Sequence, residues 1–545
     1  MIQSLSRFCF YFSIVAVLVG CAQVIPPQGG SRDTQPPQVI EMTPKNSTTN
    51  FSANSFYIEF DEFVQLNDVY NQLLVSPPLD NLPEISIKRK GILLQFDEEL
   101  KPNTTYTFNF GEGVTDFTEG NAAEDLVYVF STGDVLDSLG VKGKVTSAFT
   151  TKPQSDVKVM LYEQTGDSLP LKEKPYYFGL TDEQGLFKIG YMKPGEYKVF
   201  ALQEQLANYL YDSPDERIAF LDSLVSSALV DSSMSQLKLR TFLEDSELQF
   251  IKESTTDSTG FISIKLNREP VNPQIDVLTL GVDSSYVLEE LNGDSLYVWL
   301  TGVPTDEKVD LEVIDSGEVL DTLRVVFETR EIIPTTVNSI ELKLSAKTTQ
   351  PSEDDIFIVS RTYLTQVDTS KIELLRDSVP MDFAVEEVDG SYSKMQLVAD
   401  FEDDEQYSLQ LLPGAVEDYR GYRNDTADFS FGTFGAKHFG NFTMTISGLE
   451  IEKGEGILQL VKDDKVVEEM IVTADGKFDY NRVLPGSYTM RIIFDENRNG
   501  KWDTGNYLEK IQPEGVVYLP KEIGVRSNWE IDMEWQLSSD EEAEE

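Results

Sequence analysis

Oxygen-bearing side chains fall at cation-loop intervals in one segment, Asp495-Glu496-Asn497-Arg498-Asn499-Gly500-Lys501-Trp502-Asp503. Asp495, Asn497, Asn499 and Asp503 take places 1, 3, 5 and 9, Gly500 takes place 6, and Lys501 at place 7 would serve through its backbone carbonyl. A hard cation such as Ca²⁺ needs six or more oxygens, and the chain must turn sharply to wrap them. The chemistry indicated is structural calcium binding, the single cofactor the sequence suggests. Place 12 holds Asn506 where a bidentate Glu would complete the shell, leaving Glu509 to fold back. The competing reading is a rigid Asx/Gly turn without metal.

Other chemistries are poorly supplied. Of 545 residues, 45 are Lys or Arg and 94 are Asp or Glu, a net charge of −49 that repels phosphate backbones and excludes nucleic acid as a partner. His438 is the only imidazole, so any Ser-His-Asp or Cys-His triad would have to be built on it, and a His-rich zinc site is impossible. It lies in Gly435-Ala436-Lys437-His438-Phe439-Gly440, which reads as a linker. Neighbouring acids such as Asp61/Glu62 or Asp403/Asp404/Glu405 arise inevitably at this acid content and do not by themselves make a glycosidase pair. The expectation is a protein that is not an enzyme. Tyr176-Tyr177-Phe178, Tyr209, Tyr211 and Trp502 are candidates for a sugar-stacking platform, with core or inter-module packing as the plainer role.

The N-terminus, MIQSLSRFCFYFSIVAVLVGC, sets one cation, Arg7, before an apolar run from Phe8 to Val19 and so reads as an export signal too short for a comfortable membrane span. Its end, Leu18-Val19-Gly20-Cys21, resembles the lipobox of bacterial lipoproteins. That resemblance implies cleavage before Cys21 and fatty acylation of its thiol, giving a membrane partner through the lipid anchor. Cleavage would also remove Cys9, leaving no intramolecular disulfide. Ala22 after the Cys implies an outer-membrane address, and the uncharged AQVIPPQGG that follows leans towards the periplasmic face rather than the cell surface. Residues 22–37 are Pro/Gly-rich and read as a tether.

Beyond the tether, apolar and polar residues alternate in short runs such as Ser55-Phe56-Tyr57-Ile58-Glu59-Phe60, punctuated by Asp, Asn, Gly and Pro. Period two with regular turns predicts antiparallel β-sandwiches. Only the stretch from Glu216 to Leu239 is mixed enough to hold a helical turn. Self-comparison is more informative. Gly185, Phe187, Pro194-Gly195, Tyr197 and Asp212 recur as Gly476, Phe478, Pro485-Gly486, Tyr488 and Asp503, every pair 291 residues apart. In the earlier copy the cation loop reads Glu204, Leu206, Asn208, Tyr209 and Asp212, without the glycine. A looser repeat relates Leu100 to Tyr106, Asp116 and Phe130 to Gly133 with the region from Tyr407 through Asp418 to Gly432. The repeats parse the chain as 1–21 signal, 22–37 tether, and modules 38–134, 139–235, 237–333, 335–434 and 439–537, followed by an acidic tail at 538–545.

Module 38–134 resembles the bacterial Ig-like domain of S-layer proteins at Pro36-Pro37, Ile58 to Val64, Leu100 to Tyr106, Asp116, Gly120-Asn121 and the closing Phe130-Ser131-Thr132. Modules 139–235 and 439–537 resemble carboxypeptidase-regulatory-like or CnaB-like domains, also similar to transthyretin, through Val157 to Leu161, Asp182 to Gly185 and Pro194-Gly195-Glu196-Tyr197. The loop from Asp495 is similar to calcium loops of CnaB-like and dockerin-type domains. The order of signal, lipobox, tether and Ig-like domain is similar to a group of Bacteroidota lipoproteins. Together the resemblances imply an all-β chain of tandem Ig-like and CnaB-like sandwiches in an elongated array. Its expected role is a non-enzymatic envelope scaffold, spacer or adhesive that touches envelope proteins or glycans, with a carbohydrate-binding lipoprotein as the alternative.

Overall fold

The computed structural model describes residues 34–166, 168–204, 208–229, 236–246, 248–256, 261–279, 287–300, 308–326, 339–419, 421–451 and 454–537. Almost every element is a strand, and the only α-helical pieces among the described residues are the single turns Val69–Gln72 and Leu169–Lys172. The all-β expectation therefore holds. The chain divides into two compact units: one runs to Thr146 and adds Pro153–Asp212 and Ile218–Thr241, while the other holds Ser147–Lys152, Ser213–Arg217 and the chain from Phe242 onward.

The first unit contains two hydrophobic cores. In one, Val39–Thr43, Ser55–Phe60, Gly91–Gln95 and Glu84–Lys88 form a sheet, and Leu74–Ser76, Thr105–Asn109 and Val127–Ser131 form a second. Alternate residues of Ser55–Phe60 turn inward, as period two demands, so Phe56, Ile58 and Phe60 meet Phe108 and Phe130 in one interior. Stacked pairs Phe51–Phe130 and Phe56–Tyr128, each with ring centroids 3.9 Å apart, fill that interior.

The other core lies between Leu139–Ser147 with Leu186–Met192, and Lys158–Tyr162 with Tyr177–Leu180, Glu196–Gln203 and Arg217–Phe220. The stretch from Glu216 to Leu239 differs from expectation. Arg217–Phe220, Val225–Ser226 and Ala228–Leu229 are strands, because Glu196–Gln203 takes up the backbone groups of the first two and Leu139–Ser147 those of the third. The strand Gln236–Thr241 pairs with Leu139–Ser147 and sends Leu239 into this core, so the module extends past residue 235. Its approach needs a glycine. A Cβ on Gly143 would stand 2.3 Å from the Leu237 carbonyl oxygen.

In the second unit, cores are centred on Ile264, Val298 and Leu311, on Ile358, Leu409 and Phe431, and on Met444, Leu458 and Met490, with a smaller cluster of Ile457, Ile493 and Val516. Not all pairing is antiparallel. Gly440–Ser447 runs parallel to Glu530–Gln536 over seven residue pairs, because the last strand arrives from the opposite sheet rather than from a hairpin.

Both internal repeats are structural. The Tyr197 hydroxyl donates to the Lys193 carbonyl at 3.0 Å, and Tyr488 donates to Leu484 at 2.6 Å. In the other pair of modules, Tyr106 accepts the Lys101 N–H at 2.9 Å and Tyr407 accepts the Glu402 N–H at 2.7 Å. Thr132 and Thr433 then close the same corner, donating to the Lys101 and Glu402 carbonyls. In each case a buried phenol ties a turn to the following strand.

Candidate functional site

The loop from Asp495 leaves the strand Gly486–Asp495, which delivers the Asp495 side chain into the interior with no exposed surface. Its Oδ1 accepts the N–H groups of Arg498 (2.6 Å) and Asn499 (3.2 Å), and its Oδ2 accepts that of Gly500 (2.8 Å). The side-chain oxygens of Asn497 and Asn499 each accept a backbone N–H two residues on, and both amide groups donate to Asp503 Oδ2, at 2.5 and 2.6 Å. Glu514, itself buried, accepts from the N–H groups of Glu496 and Asp503. Burial, helped by the nearby charges of Asp503 and Asp495, raises the Glu514 carboxyl above the usual range despite those two bonds.

Asp495, Asn497, Asn499 and Asp503 are thus brought together as the spacing suggests, and they satisfy one another. Among the described residues no group of three or more His, Cys, Asp or Glu side chains is placed to hold a metal ion. The earlier copy shows what the arrangement does. Glu204 accepts the Asn208 N–H at 2.9 Å, the Asn208 amide donates to Asp212 at 2.5 Å, and the Leu210 N–H returns to the Asn208 side chain at 2.9 Å. These are the bonds of Asp495, Asn499, Asp503 and Lys501 at the 291-residue offset, kept without the glycine or the oxygen ligand at place 3. The shared bonds lock the turn in both copies.

The proposed stacking platform is not assembled. Tyr177, Phe178 and Tyr211 are buried, and Tyr209 is half-buried between Phe178, 4.9 Å away, and the Lys158 ammonium, 4.3 Å above its ring. Tyr176 lies edge-on to Tyr177 and bonds Lys193 through its hydroxyl. Trp502 packs on Phe149 at 4.9 Å and donates its indole N–H to the Glu514 carbonyl. The physical reason is that these rings pack on apolar or cationic neighbours, each in a different place, instead of forming one shared plane. His438 stacks on Phe434 with centroids 3.9 Å apart in the turn Ala436–His438. Cys21 lies outside the described residues.

Two acidic groups that spacing did not single out as functional carry clear structural work. Asp116 is buried, which by itself would raise its carboxyl, but N–H bonds from Glu119, Gly120, Asn121 and Thr118 prevail and hold it at about 2. Asp403, in the acidic run Asp403/Asp404/Glu405, joins Glu353 in gripping Arg482 through four hydrogen bonds of 2.8–3.0 Å. The guanidinium also lies 4.2 Å over the Phe439 ring. Asp116 thus locks a turn, and Asp403 with Glu353 clamps a cation.

Residues 33–132 match the Big_5 family, the bacterial Ig-like domain. No curated protein matches the chain. Among solved structures, it is similar to the Bacillus cereus major pilin subunit BcpA, with 9% identity over 73% of this chain and 99% of that one and a TM-score of 0.13. It is also similar to domains 1–6 of the surface layer protein SbsC, with 9% identity over 90% of this chain and 67% of that one and a TM-score of 0.14. A third is the Bacteroides ovatus mixed-linkage glucan utilization locus protein SGBP-B, solved with a mixed-linkage heptasaccharide, with 10% identity over 71% of this chain and 94% of that one and a TM-score of 0.18. Likeness at this level carries no argument about what this chain binds.

Proposed function

We propose that this protein is a non-enzymatic, lipid-anchored cell-envelope protein of the Bacteroidota type. Its Ig-like and CnaB-like modules serve as a scaffold, spacer or adhesive that contacts envelope proteins or glycans. The observation that carries the reading is the use made of its carboxylates: Asp116, Asp495 and Asp403 are each consumed in holding a turn or a cation within the β-sandwich framework. A chain that devotes its most tightly held polar groups to rigidity is suited to positioning other molecules. Anchoring rests on Cys21 after Leu18-Val19-Gly20, and the outer membrane with its periplasmic face is the address that Ala22 and the uncharged tether favour.

The test is metabolic labelling with a clickable palmitate analogue, followed by fractionation and protease shaving of whole cells. The native chain should label, pellet with the outer membrane and resist shaving, while Cys21→Ser should lose the label and leave the pellet. Equal membrane retention by Cys21→Ser would overturn the anchor, and digestion of the native chain on intact cells would move it to the outer face.

A further inference from the structure

A rigid, exposed aromatic surface does exist, in the fourth module and away from the rings that the sequence put forward. Strands Ala384–Val388 and Ser391–Val398 form a hairpin whose tip is Asp389-Gly390, with Gly390 at φ +71°. Just past the tip, Tyr392 remains 42% exposed while its ring stacks on Tyr363 with centroids 4.5 Å apart and planes 16° from parallel. Behind this pair, Trp299 meets Tyr363 edge-to-face at 5.9 Å, and the Tyr419 N–H holds the Tyr363 carbonyl at 3.0 Å. Trp299 is itself fixed, since its indole N–H donates to the Arg361 carbonyl at 3.1 Å.

The hairpin is also clamped from the preceding module. Glu290, 5% exposed on the strand Val287–Asn292, accepts the N–H groups of Tyr392 (2.7 Å) and Ser393 (3.0 Å) and the hydroxyls of Ser391 (2.8 Å) and Ser393 (3.2 Å). Four bonds to one buried carboxylate fix the backbone that carries an exposed ring. Such an investment does nothing for a side chain meant only to face water, but it does pre-organise a contact surface. Tyr363 and Tyr392 line a cleft of about 370 Å³ whose rim bears Thr365, the exposed carboxylates of Glu387 and Asp389, and one half-buried cation, Lys394, whose ammonium lies 5.3 Å over the Phe357 ring. That volume falls within the size of small-molecule clefts, roughly 300–1,000 Å³.

We propose that this cleft binds a neutral oligosaccharide, one pyranose ring stacking on Tyr392 while Glu387 and Asp389 accept hydrogen bonds from its hydroxyls. A pyranose presents an apolar C–H face ringed by hydroxyl donors, which matches an aromatic plane ringed by acceptors. Anionic glycans are disfavoured because the two carboxylates outnumber the single lining cation, Lys394, which already sits over the Phe357 ring, and because the chain carries a net charge of −49. A quaternary ammonium would need rings arranged around it as walls, whereas these two tyrosines lie parallel and present one plane. Burial, with Tyr392 and Glu387 nearby, raises the Tyr363 hydroxyl above its ordinary value and keeps it a donor. Glu290 is a positioning residue that acts through the hairpin backbone.

The inference goes beyond the anchored-scaffold reading and fails separately from it. The purified full chain would be screened on an array of neutral gluco-, xylo-, manno- and galacto-oligosaccharides, and hits titrated by calorimetry. At least one sugar should bind saturably, and Tyr392→Ala should weaken it tenfold or more without moving the melting temperature. Glu290→Ala should weaken binding several-fold, and Glu290→Gln, which keeps an acceptor oxygen, should recover most of the loss. Absence of binding across the array at millimolar sugar would overturn the proposal. So would affinity within twofold of native in Tyr392→Ala, or binding of tetramethylammonium in place of any sugar.

Discussion

Replacing Asp495 by Ala removes a fully buried carboxylate that holds three backbone N–H groups, at 2.6, 2.8 and 3.2 Å. A hydrogen bond to a charged group contributes about 1.5–3 kcal/mol net, so simple addition would reach about 4–9 kcal/mol. Two effects lower that figure. The N–H groups belong to Arg498, Asn499 and Gly500, which are exposed and can turn to water, and the variant no longer buries a charge, itself a cost of several kcal/mol. The expected loss is about 2–4 kcal/mol, confined to the fifth module. At about 1.4 kcal/mol per factor of ten, that is a roughly 30- to 1,000-fold fall in protection against hydrogen exchange.

Exchange is the right assay because a multi-module chain does not unfold in one step. Peptides covering Glu455–Lys462 and Gly486–Asp495 should lose protection, while those covering Ser55–Phe60 should not change. Asp503→Ala, which removes two side-chain bonds at the surface, should cost only about 1 kcal/mol. Millimolar calcium should produce neither binding heat nor added protection in the native chain, since the loop closes on itself. Native protection in Asp495→Ala would refute the turn-lock reasoning. Saturable calcium heat that disappears in this variant would show instead that the loop is a metal site.

The Asp116 carboxyl is held at about 2, below its ordinary value of 3.8, so its contribution to folding is fully present above the unfolded value and lost as pH falls towards 2. Exchange protection of the first module should therefore drop between about pH 4 and 2, with the drop flattened in Asp116→Asn; an unchanged pH profile in that variant would count against the assignment. Arg482→Met should loosen the tie to Glu353 and Asp403 by about 1 kcal/mol, because these side chains are only partly buried, and the effect should shrink in high salt. Equal melting of native and variant chains at low salt would show the clamp to be ornamental.

What was legible in the sequence is what depends on local pattern. Alternation along Ser55–Phe60 specified a half-buried strand, the 291-residue repeat specified two modules with matching tyrosine corners, and the Asp, Asn and Gly spacing specified a tight loop at Asp495. All three follow from side-chain period and turn chemistry, which act over a few residues. Three other features were decided only by distant parts of the chain meeting. Arg217–Phe220, Val225–Ser226 and Ala228–Leu229, in a stretch whose pattern allowed a helical turn, are strands because two sheets had edges ready to pair with them. Tyr209 packs between Phe178 and Lys158, Trp502 packs on Phe149 and Tyr211 is buried, while Tyr392, stacked on Tyr363, remains 42% exposed. Glu290 holds Tyr392 from 102 residues away, and no spacing rule connects them. Burial, exposure and cross-module bonding are properties of the packed whole, so local pattern by itself determined the clearly alternating strands and the tight turns, and tertiary structure decided the ambiguous strands and which aromatic rings remain exposed.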